Sequence, residues 1–310
     1  MSRLHASRRG RRQWGRSLIE VMISITIGLA VLGAILTVYL STSSTSRQSE
    51  SATRMSEDAA VAMTYMGNYI RMAGFSFPLA NGPANTVVSG TASVEFTDSN
   101  FGGTAIRGCD NGFSNPTVTS TSALSCNSGS GNSAIAVRFE GDTDNTWASG
   151  GSPTDCLGQA VTTTVASDYD ASVSYSRIEA RFFTAVGANS GTRELYCAGN
   201  GSASFAAQPL LQYVDSMVIT YGLASDVSSH RVVQYATAAQ IDALPGDVDQ
   251  RWKRVISAKI CLIMRSETAD QGGAQPYIDC AGTLVTPNDN FMRRAFSSVV
   301  TLRNRGGFAL

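Results

Sequence analysis

The chain has 310 residues, with 24 basic and 24 acidic side chains. Five arginines lie within residues 1–15, and removing these five from the 24 basic residues leaves 19 against 24 acidic ones, a net charge of −5 for the remainder. A mildly acidic body excludes global electrostatic capture of nucleic acid, although it does not exclude a local basic patch.

The N-terminal 15 residues form a basic leader in front of an apolar run. Val21 to Leu40 are 20 residues without formal charge, enough for a helix about 30 Å long, the thickness of a bilayer core. Three interpretations are open: a cleaved secretory signal, a plain membrane anchor, or a leader cut before the apolar run. The run is too long for a secretory signal. The arginines before it, with none after it until Arg47, place the N-terminus in the cytoplasm.

Glu20 is a carboxylate at the head of this apolar run. At the centre of a helix in lipid a carboxylate costs about 2.5–3.5 kcal/mol, and less near the interface. In one interpretation Glu20 lies at headgroup level and faces water. In the other it is a functional group that needs a cationic partner, because an unpaired charge in a packed helical bundle is costly.

A long helix is predicted for the N-terminal region, because no proline occurs before Pro78. We expect it to run from about Ser17 to Met72, loosened around residues 41–49, with Gly74 at its end. Residues 16–40 would form the membrane-spanning and assembly half, and residues 41–74 the half that packs on a folded head. The apolar side chains of the second half recur every three or four residues: Met55, Ala59, Ala62, Met63, Met66, Tyr69, Ile70 and Ala73.

Residues 75–310 are predicted to form one β-rich globular head. Short apolar or alternating runs at 132–140, 173–185, 210–223, 254–265 and 296–304 are typical of strands. Residues 241–252 could hold a short helix that ends at Pro245, and long Ser/Gly-rich loops are expected at 81–132 and 141–170. The predicted fold class is therefore α+β, with an antiparallel sheet packed on the second half of the helix.

The six cysteines indicate disulfides in an oxidising compartment, because their number is even and they are spread through a Gly/Ser/Thr-rich body. Nearest-neighbour pairing would join Cys109 to Cys126, Cys156 to Cys197 and Cys261 to Cys280. In the alternative, some are free buried thiols, with Cys261 the first candidate because it lies in an apolar run. No CxxC motif occurs, which disfavours a zinc or redox site.

Enzymatic and metal-site motifs are absent from the sequence, so we expect no catalytic residue, no metal and no cofactor. There is no Walker A, GxGxxG, HExxH or GxSxG motif. The alternative of a membrane-tethered envelope enzyme would depend on His230 or on an acidic pair. Asp142 and Asp144 suggest calcium only faintly, because the last-ligand position of a calcium loop would be Pro153.

A basic cluster lies near the C-terminus and is the local patch that could contact DNA or an acidic partner. Alternation along a strand would put Arg294 on the opposite face from the other members. The ordinary interpretation is surface charge on an edge strand. The cluster consists of Arg293, Arg294, Arg303 and Arg305.

The stretch GRSLIEV at residues 15–21 resembles the processing site of type IV prepilins. The resemblance implies that a prepilin peptidase cuts after Gly15, that Arg16 becomes the N-terminus, and that its amine is methylated. Glu20 then matches the family glutamate, which is thought to meet the N-terminal amine of a neighbouring subunit. The family most often has phenylalanine at the position of Arg16, whose guanidinium could compete for Glu20.

Further matches narrow the resemblance to minor pilins of the PilW type. They are YIRMAGF at 69–75, DCLG at 155–158, ELYC at 194–197, VDSMVITYG at 214–222 and FMRRAFSSVVTLRNR at 291–305. Such proteins carry a cysteine pair at the positions of Cys156 and Cys197. Of the three candidate disulfides, this is therefore the one that the resemblance implies.

The PilW resemblance implies a non-enzymatic protein that primes or caps a type IV pilus. It would be held in inner-membrane lipid with a periplasmic head, and reach the pilus and the cell surface on assembly. Its partners would be other minor and major pilins and the inner-membrane assembly machinery. Type IV pili serve twitching motility, cell adhesion and DNA uptake. The alternative with the same architecture is a minor pseudopilin of a type II secretion system.

The processing site generates the first prediction. In cells with an active prepilin peptidase, the mature chain should begin at Arg16, which mass spectrometry of the purified protein would show. Recovery of the intact leader from such cells would contradict this assignment.

Overall fold

The structure is a computed structural model that describes residues 15, 17–77, 100, 103–119, 123–167, 172–201, 205–270 and 273–305. The chain divides into two compact units, residues 1–50 and residues 51–310. The division falls within the first helix, which contributes to both units. Arg16 and the leader before Gly15 lie outside the described residues.

Helix α1 (Leu18–Met72) has 55 residues and is helical throughout. The loosening expected around residues 41–49 does not occur. Hydroxyl side chains in α1 donate to backbone carbonyls of the preceding turn, so they are compatible with the helix. Thr45 Oγ1 donates to the carbonyl of Ser41 at 3.0 Å, and Thr37 Oγ1 to that of Ala34 at 2.8 Å.

The unit of residues 51–310 contains the described strands and two short helices. In chain order the elements are β1 (Ile106–Cys109), β2 (Ala134–Gly141), β3 (Val165–Ala166), β4 (Ser174–Val186), β5 (Arg193–Gly199), β6 (Ala206–Gln212), β7 (Val214–Ala224), β8 (Val232–Ala236), α2 (Ala238–Asp242), α3 (Val248–Trp252), β9 (Val255–Ala269), β10 (Tyr277–Ile278), β11 (Leu284–Val285) and β12 (Phe291–Thr301). A 3-10 turn follows at Arg303–Arg305.

These strands form two main sheets, where the sequence suggested one. The first sheet has the order β1-β2-β4-β5-β6, with β3 paired to β4, and the second has the order β12-β9-β7-β8. A separate hairpin joins β10 to β11. All pairs are antiparallel. The predicted α+β class is confirmed.

The chain passes from the first sheet to the second at Tyr213, inside the run that the sequence presents as one strand. Tyr213 has a φ of 62°. Among the described residues, no other residue except glycine has a positive φ. A left-handed residue breaks the extended backbone, so β6 ends at Gln212 and β7 begins at Val214. The two halves of the apolar run therefore pair in different sheets.

Several strands lie where the sequence pattern predicted none. The described part of the loop predicted at 81–132 contains β1, and that predicted at 141–170 contains the two-residue strand β3. Strand β5 was also not predicted. These strands are short or flanked by glycine, so alternation alone does not distinguish them from loops; their pairing partners define them.

The second part of α1 lies in the core of its unit. Its buried residues are Met55, Ala59, Ala62, Met66, Gly67 and Ile70, and Ala73 is buried just beyond the helix. Tyr65 and Tyr69 pack on the first sheet, with ring centroids 6.2 Å and 5.7 Å from that of Phe182. The small residues on this stripe allow the helix to approach the sheets closely, and Met66 and Ile70 are completely buried.

A left-handed glycine ends α1. Gly74 has φ 73°, as expected of the residue that follows a helix C-terminus. Its N–H donates to the carbonyl of Arg138 in β2 at 2.9 Å. The end of the helix is thereby attached to the first sheet.

Helices α2 and α3 lie on either side of Pro245. Thr237 caps α2 through a capping box and Asp247 caps α3. The buried Trp252 packs edge-on against Tyr221 with centroids 5.0 Å apart. Its Nε1–H donates to Asp242 at 2.8 Å, so α3 is fixed both to α2 and to β7.

The structure joins the six cysteines in three disulfides, with no free cysteine in the chain. They are Cys109–Cys126, Cys156–Cys197 and Cys261–Cys280. Cys156 and Cys197 belong to the same buried cluster as the α1 stripe, and the hydroxyl of Tyr65 donates to the carbonyl of Cys156 at 2.5 Å.

The Cys156–Cys197 bridge should make a large contribution to stability. Replacing both cysteines by serine should lower the free energy of unfolding by about 2–5 kcal/mol. The bridge spans 41 residues against 17 for Cys109–Cys126. Loop-closure entropy therefore predicts a loss about 0.8 kcal/mol larger than for the matched Cys109/Cys126 double variant. Denaturant unfolding measures both, and an unchanged midpoint for the Cys156/Cys197 variant would contradict the assignment.

Candidate assembly site

Glu20 lies in the first turn of α1. Its backbone N–H donates to the carbonyl of Ser17 at 3.0 Å. Ser17 directly precedes α1, so this is one of the first hydrogen bonds of the helix. A carboxylate near a helix N-terminus is favoured by the unpaired N–H groups there. The side chain is exposed, and among the described residues no cationic side chain forms an ion pair with it.

The helix that follows Glu20 presents an apolar surface that its own unit leaves uncovered. Residues 18–40 include exposed leucine, isoleucine and valine side chains, for example Leu29 at 63% and Leu32 at 63%. Within α1 an 18-residue window has a mean hydropathy of 2.5. By length and composition this segment can cross a membrane. The same surface can pack against other apolar helices.

The processing residues lie just before this helix. Gly15 is exposed, and no atom of the described residues lies within 4 Å of the point where a side chain would begin. Gly15 itself is therefore accessible. Arg16 lies outside the described residues, so cleavage at the Gly15–Arg16 bond stays a prediction.

The C-terminal basic cluster is largely an internal ion-pair network. Arg293 donates to Asp289 at 2.5 and 2.7 Å and to Asp215 in β7 at 2.7 Å. Arg265 lies 3.8 Å from Asp215, and its guanidinium stacks over the ring of Phe291 at 4.5 Å. The charge of Arg293 is thus neutralised within the fold, which argues against an anion-binding patch at this position.

The remaining arginines of the cluster have no ion pair with Asp215 or Asp289 among the contacts of the described residues. Arg294 and Arg303 are exposed, and the side chain of Arg305 lies outside the described set. Strand β12 is an edge strand, so Arg294 carries surface charge on a sheet edge. Sequence reasoning missed Asp215 and Asp289 as partners of Arg293, because the pairing of β12 with β9 and β7 is not visible in local sequence.

The acidic turns have local structural roles. Asp142 Oδ1 accepts the N–H groups of Asp144 and Asn145 at 2.9 and 2.8 Å, which is an Asx turn. Asp247 accepts the N–H of Gln250 at 2.8 Å as the α3 cap. His230 is exposed before β8. Across the described ranges no three acidic, histidine or cysteine side chains are grouped so that they could hold a metal ion.

Comparison with known proteins bears on the identity of this chain. Residues 181–304 match the family model of Type IV Pilus-assembly protein W. The match runs from within β4 to the turn after β12, and includes the ELYC and VDSMVITYG motifs and all but the last residue of the C-terminal motif. The predicted resemblance to PilW-type pilins is confirmed.

A second comparison gives a structural neighbour. A type IV-like pilin from Thermus thermophilus is 13% identical, with a TM-score of 0.37, over 81% of this chain and 98% of the other. Similarity at this level does not establish a shared fold, so the fold class rests on the elements described above. No curated protein sequence matches the chain.

The family match over residues 181–304 supports a pilus-related role for this chain. Pilins associate with other pilins and with the pilus assembly machinery, and they are generally not enzymes. The apolar N-terminal helix is consistent with membrane anchoring. Among the residues singled out in the sequence, the structure places Glu20 on this helix and the six cysteines in the β-rich unit.

The ion-pair network predicts a pH dependence of stability. The hydrogen bond from Arg293, together with the N–H of Phe291 and the charge of Arg293, lowers the pKa of Asp289 to about 2. A carboxyl with a lowered folded-state pKa stabilises the fold above its unfolded pKa of about 3.9, and this contribution is lost as the pH falls towards 2.

Asp289→Asn should therefore destabilise the protein at pH 6, by about 1 kcal/mol or less because the carboxyl is partly exposed. The difference in Tm from the wild type should shrink between pH 4 and pH 2. Asp144→Asn is the control, since that exposed carboxylate accepts no hydrogen bond from the described residues, and its Tm should not differ from the wild type. A pH-independent effect of Asp289→Asn would contradict the assigned ion pair.

Proposed function

We propose that this PilW-type chain is a minor pilin that primes or caps type IV pilus assembly, joining other pilins through the first part of α1 with Glu20 as its charge partner. The observation that carries the proposal is the exposed carboxylate at the head of an uncovered apolar helix in a chain that matches a pilus-assembly family.

The chemistry of Glu20 supports a positively charged partner. In the membrane the carboxylate lies at the end of the apolar segment, where water and headgroups solvate it at modest cost. When helices pack together this solvation is lost, and an ammonium group becomes the partner that removes the penalty. The N-terminal amine that cleavage after Gly15 would create on a neighbouring subunit is such a group. Because the pair forms only at one axial offset, it would also fix the register between helices.

The proposed path begins in the inner membrane. The arginine-rich leader stays in the cytoplasm, residues 16–40 cross the lipid, and the β-rich unit lies in the periplasm, where its three disulfides can form. The prepilin peptidase removes the leader, and methylation of the Arg16 amine keeps its positive charge. The processed chain then enters a complex with other pilins.

The charge of Glu20 provides the test. Glu20→Ala and the isosteric Glu20→Gln should both leave the chain in the membrane fraction but deplete it from sheared pili, because they remove a charge and leave the apolar surface intact. Glu57→Ala is the matched control, since Glu57 is also an exposed glutamate of α1 but lies outside the apolar segment. Quantitative immunoblots of both fractions give the result, and wild-type incorporation of Glu20→Gln would contradict the charge-pairing role.

A further inference from the structure

Trp147 is the most exposed large hydrophobic side chain in the described part of the chain, at 86%. The hydrogen bond that Trp147 makes to the described residues is through its backbone carbonyl. Its indole ring packs on no other described aromatic ring. An aromatic side chain buries about 150–250 Å² when it is covered. A tryptophan left almost entirely in water is therefore a candidate contact point for a partner.

The loop that presents Trp147 is held in place by hydrogen bonds. This tryptophan loop (residues 142–153) follows β2, and the side chain of Asn145 donates to the carbonyl of Glu140 at 3.1 Å. At its other end, Thr154 Oγ1 donates to the carbonyl of Trp147 at 2.5 Å. Thr154 is 2% exposed. The backbone of Trp147 is thus attached to the buried part of its unit, and the ring is presented from a fixed position.

The sequence around the tryptophan loop is acidic. Residues 139–176 contain six aspartate or glutamate residues and no lysine, arginine or histidine. Within the loop, Asp142 accepts two backbone N–H groups. The side chain of Asp144 is exposed and accepts no hydrogen bond from the described residues. Asp144 therefore presents a free carboxylate three residues from Trp147, a separation of about 11 Å or less between their Cα atoms.

The charge of the loop decides which class of partner it fits. Nucleic acid and anionic lipid headgroups carry phosphate charges, which a carboxylate repels. A cation is attracted both to a carboxylate and to the face of an aromatic ring, and tryptophan is the best of the aromatic residues for such a contact. Trp147 and Asp144 together therefore favour a positively charged group.

We propose that Trp147 and Asp144 form a docking site for a basic segment of another protein. In this site an arginine of the partner lies over the indole ring and donates to the Asp144 carboxylate. Arginine fits better than lysine because its planar guanidinium can stack on a ring and hydrogen-bond to a carboxylate. Tryptophan is also among the residues that contribute most to the affinity of protein interfaces.

The site is separable from the stability of the fold. Trp147→Ala and Asp144→Asn should both leave the Tm unchanged, because the first side chain is exposed and the second accepts no hydrogen bond from the described residues. Thermal unfolding therefore tells a loss of binding apart from a loss of structure.

A labelled basic peptide tests the proposal. The probe is fluorescein-labelled Gly-Arg-Gly-Arg-Gly, and its fluorescence anisotropy is measured with the full-length chain in uncharged detergent micelles. The same peptide with citrulline in place of arginine is the matched uncharged probe, and we expect it to bind at least about five-fold more weakly. Trp147→Ala should weaken binding of the arginine peptide about five-fold, and Asp144→Asn about two- to five-fold.

Two variants serve as matched controls. Glu57→Gln removes one negative charge at an exposed position of α1, and Tyr235→Ala removes an aromatic ring that is 50% exposed on β8. Both should bind the arginine peptide as the wild type does. Added salt should weaken binding of the arginine peptide, because the charges are exposed.

Three outcomes would overturn the proposal. The first is equal binding of the arginine and citrulline peptides, and the second is wild-type affinity in folded Trp147→Ala. The third is an equal loss of affinity in Glu57→Gln and Asp144→Asn, which would reduce the effect to net charge. None of these outcomes involves Glu20, so failure of this proposal and failure of the pilin role can be told apart.

Discussion

The constraint on which this structure depends is an apolar helical surface that its own unit does not cover. Full burial of one leucine, isoleucine or valine side chain is worth about 1.5–3 kcal/mol, and residues 18–40 expose many of them. A contiguous exposed apolar surface marks a site of contact with a membrane or with another protein. In lipid, or packed against other apolar helices, the charge of Glu20 has to be solvated or paired.

In the second part of the same helix, the apolar side chains are buried against other residues of the β-rich unit. Met55, Ala59, Ala62, Met66 and Ile70 are buried, and Gly74 attaches the helix end to β2. Apart from α1, the helices described in the β-rich unit are α2 and α3, which have five residues each, and a 3-10 turn. Three disulfides and the Arg293 ion pairs tie its long connections to the sheets. One helix thus has an apolar part that is uncovered and a part that is buried in the β-rich unit.

Local patterns in the sequence predicted the features that depend on local physics. The three-to-four spacing of apolar residues predicted the stripe of α1, and alternation predicted β7 and β12. What the sequence could not show is pairing between distant segments. Tyr213 breaks an apparently continuous strand because its φ is positive, which tyrosine rarely adopts.

The same distinction applies to the candidate site. The position of Glu20 follows from the leader and the apolar run, because both are contiguous in sequence. Arg293 looked like one member of a basic patch, and only the pairing of β12 with β9 and of β9 with β7 brings Asp215 to it.

The most direct test of the account asks what covers the apolar surface of α1 in cells that assemble pili. A photo-reactive side chain at Leu29 should give adducts with other pilins in the sheared fibre fraction, in addition to lipid adducts in the membrane fraction. If the chain in such cells cross-links to lipid alone and is absent from fibres, then this helix is only an anchor, and the assembly role is wrong.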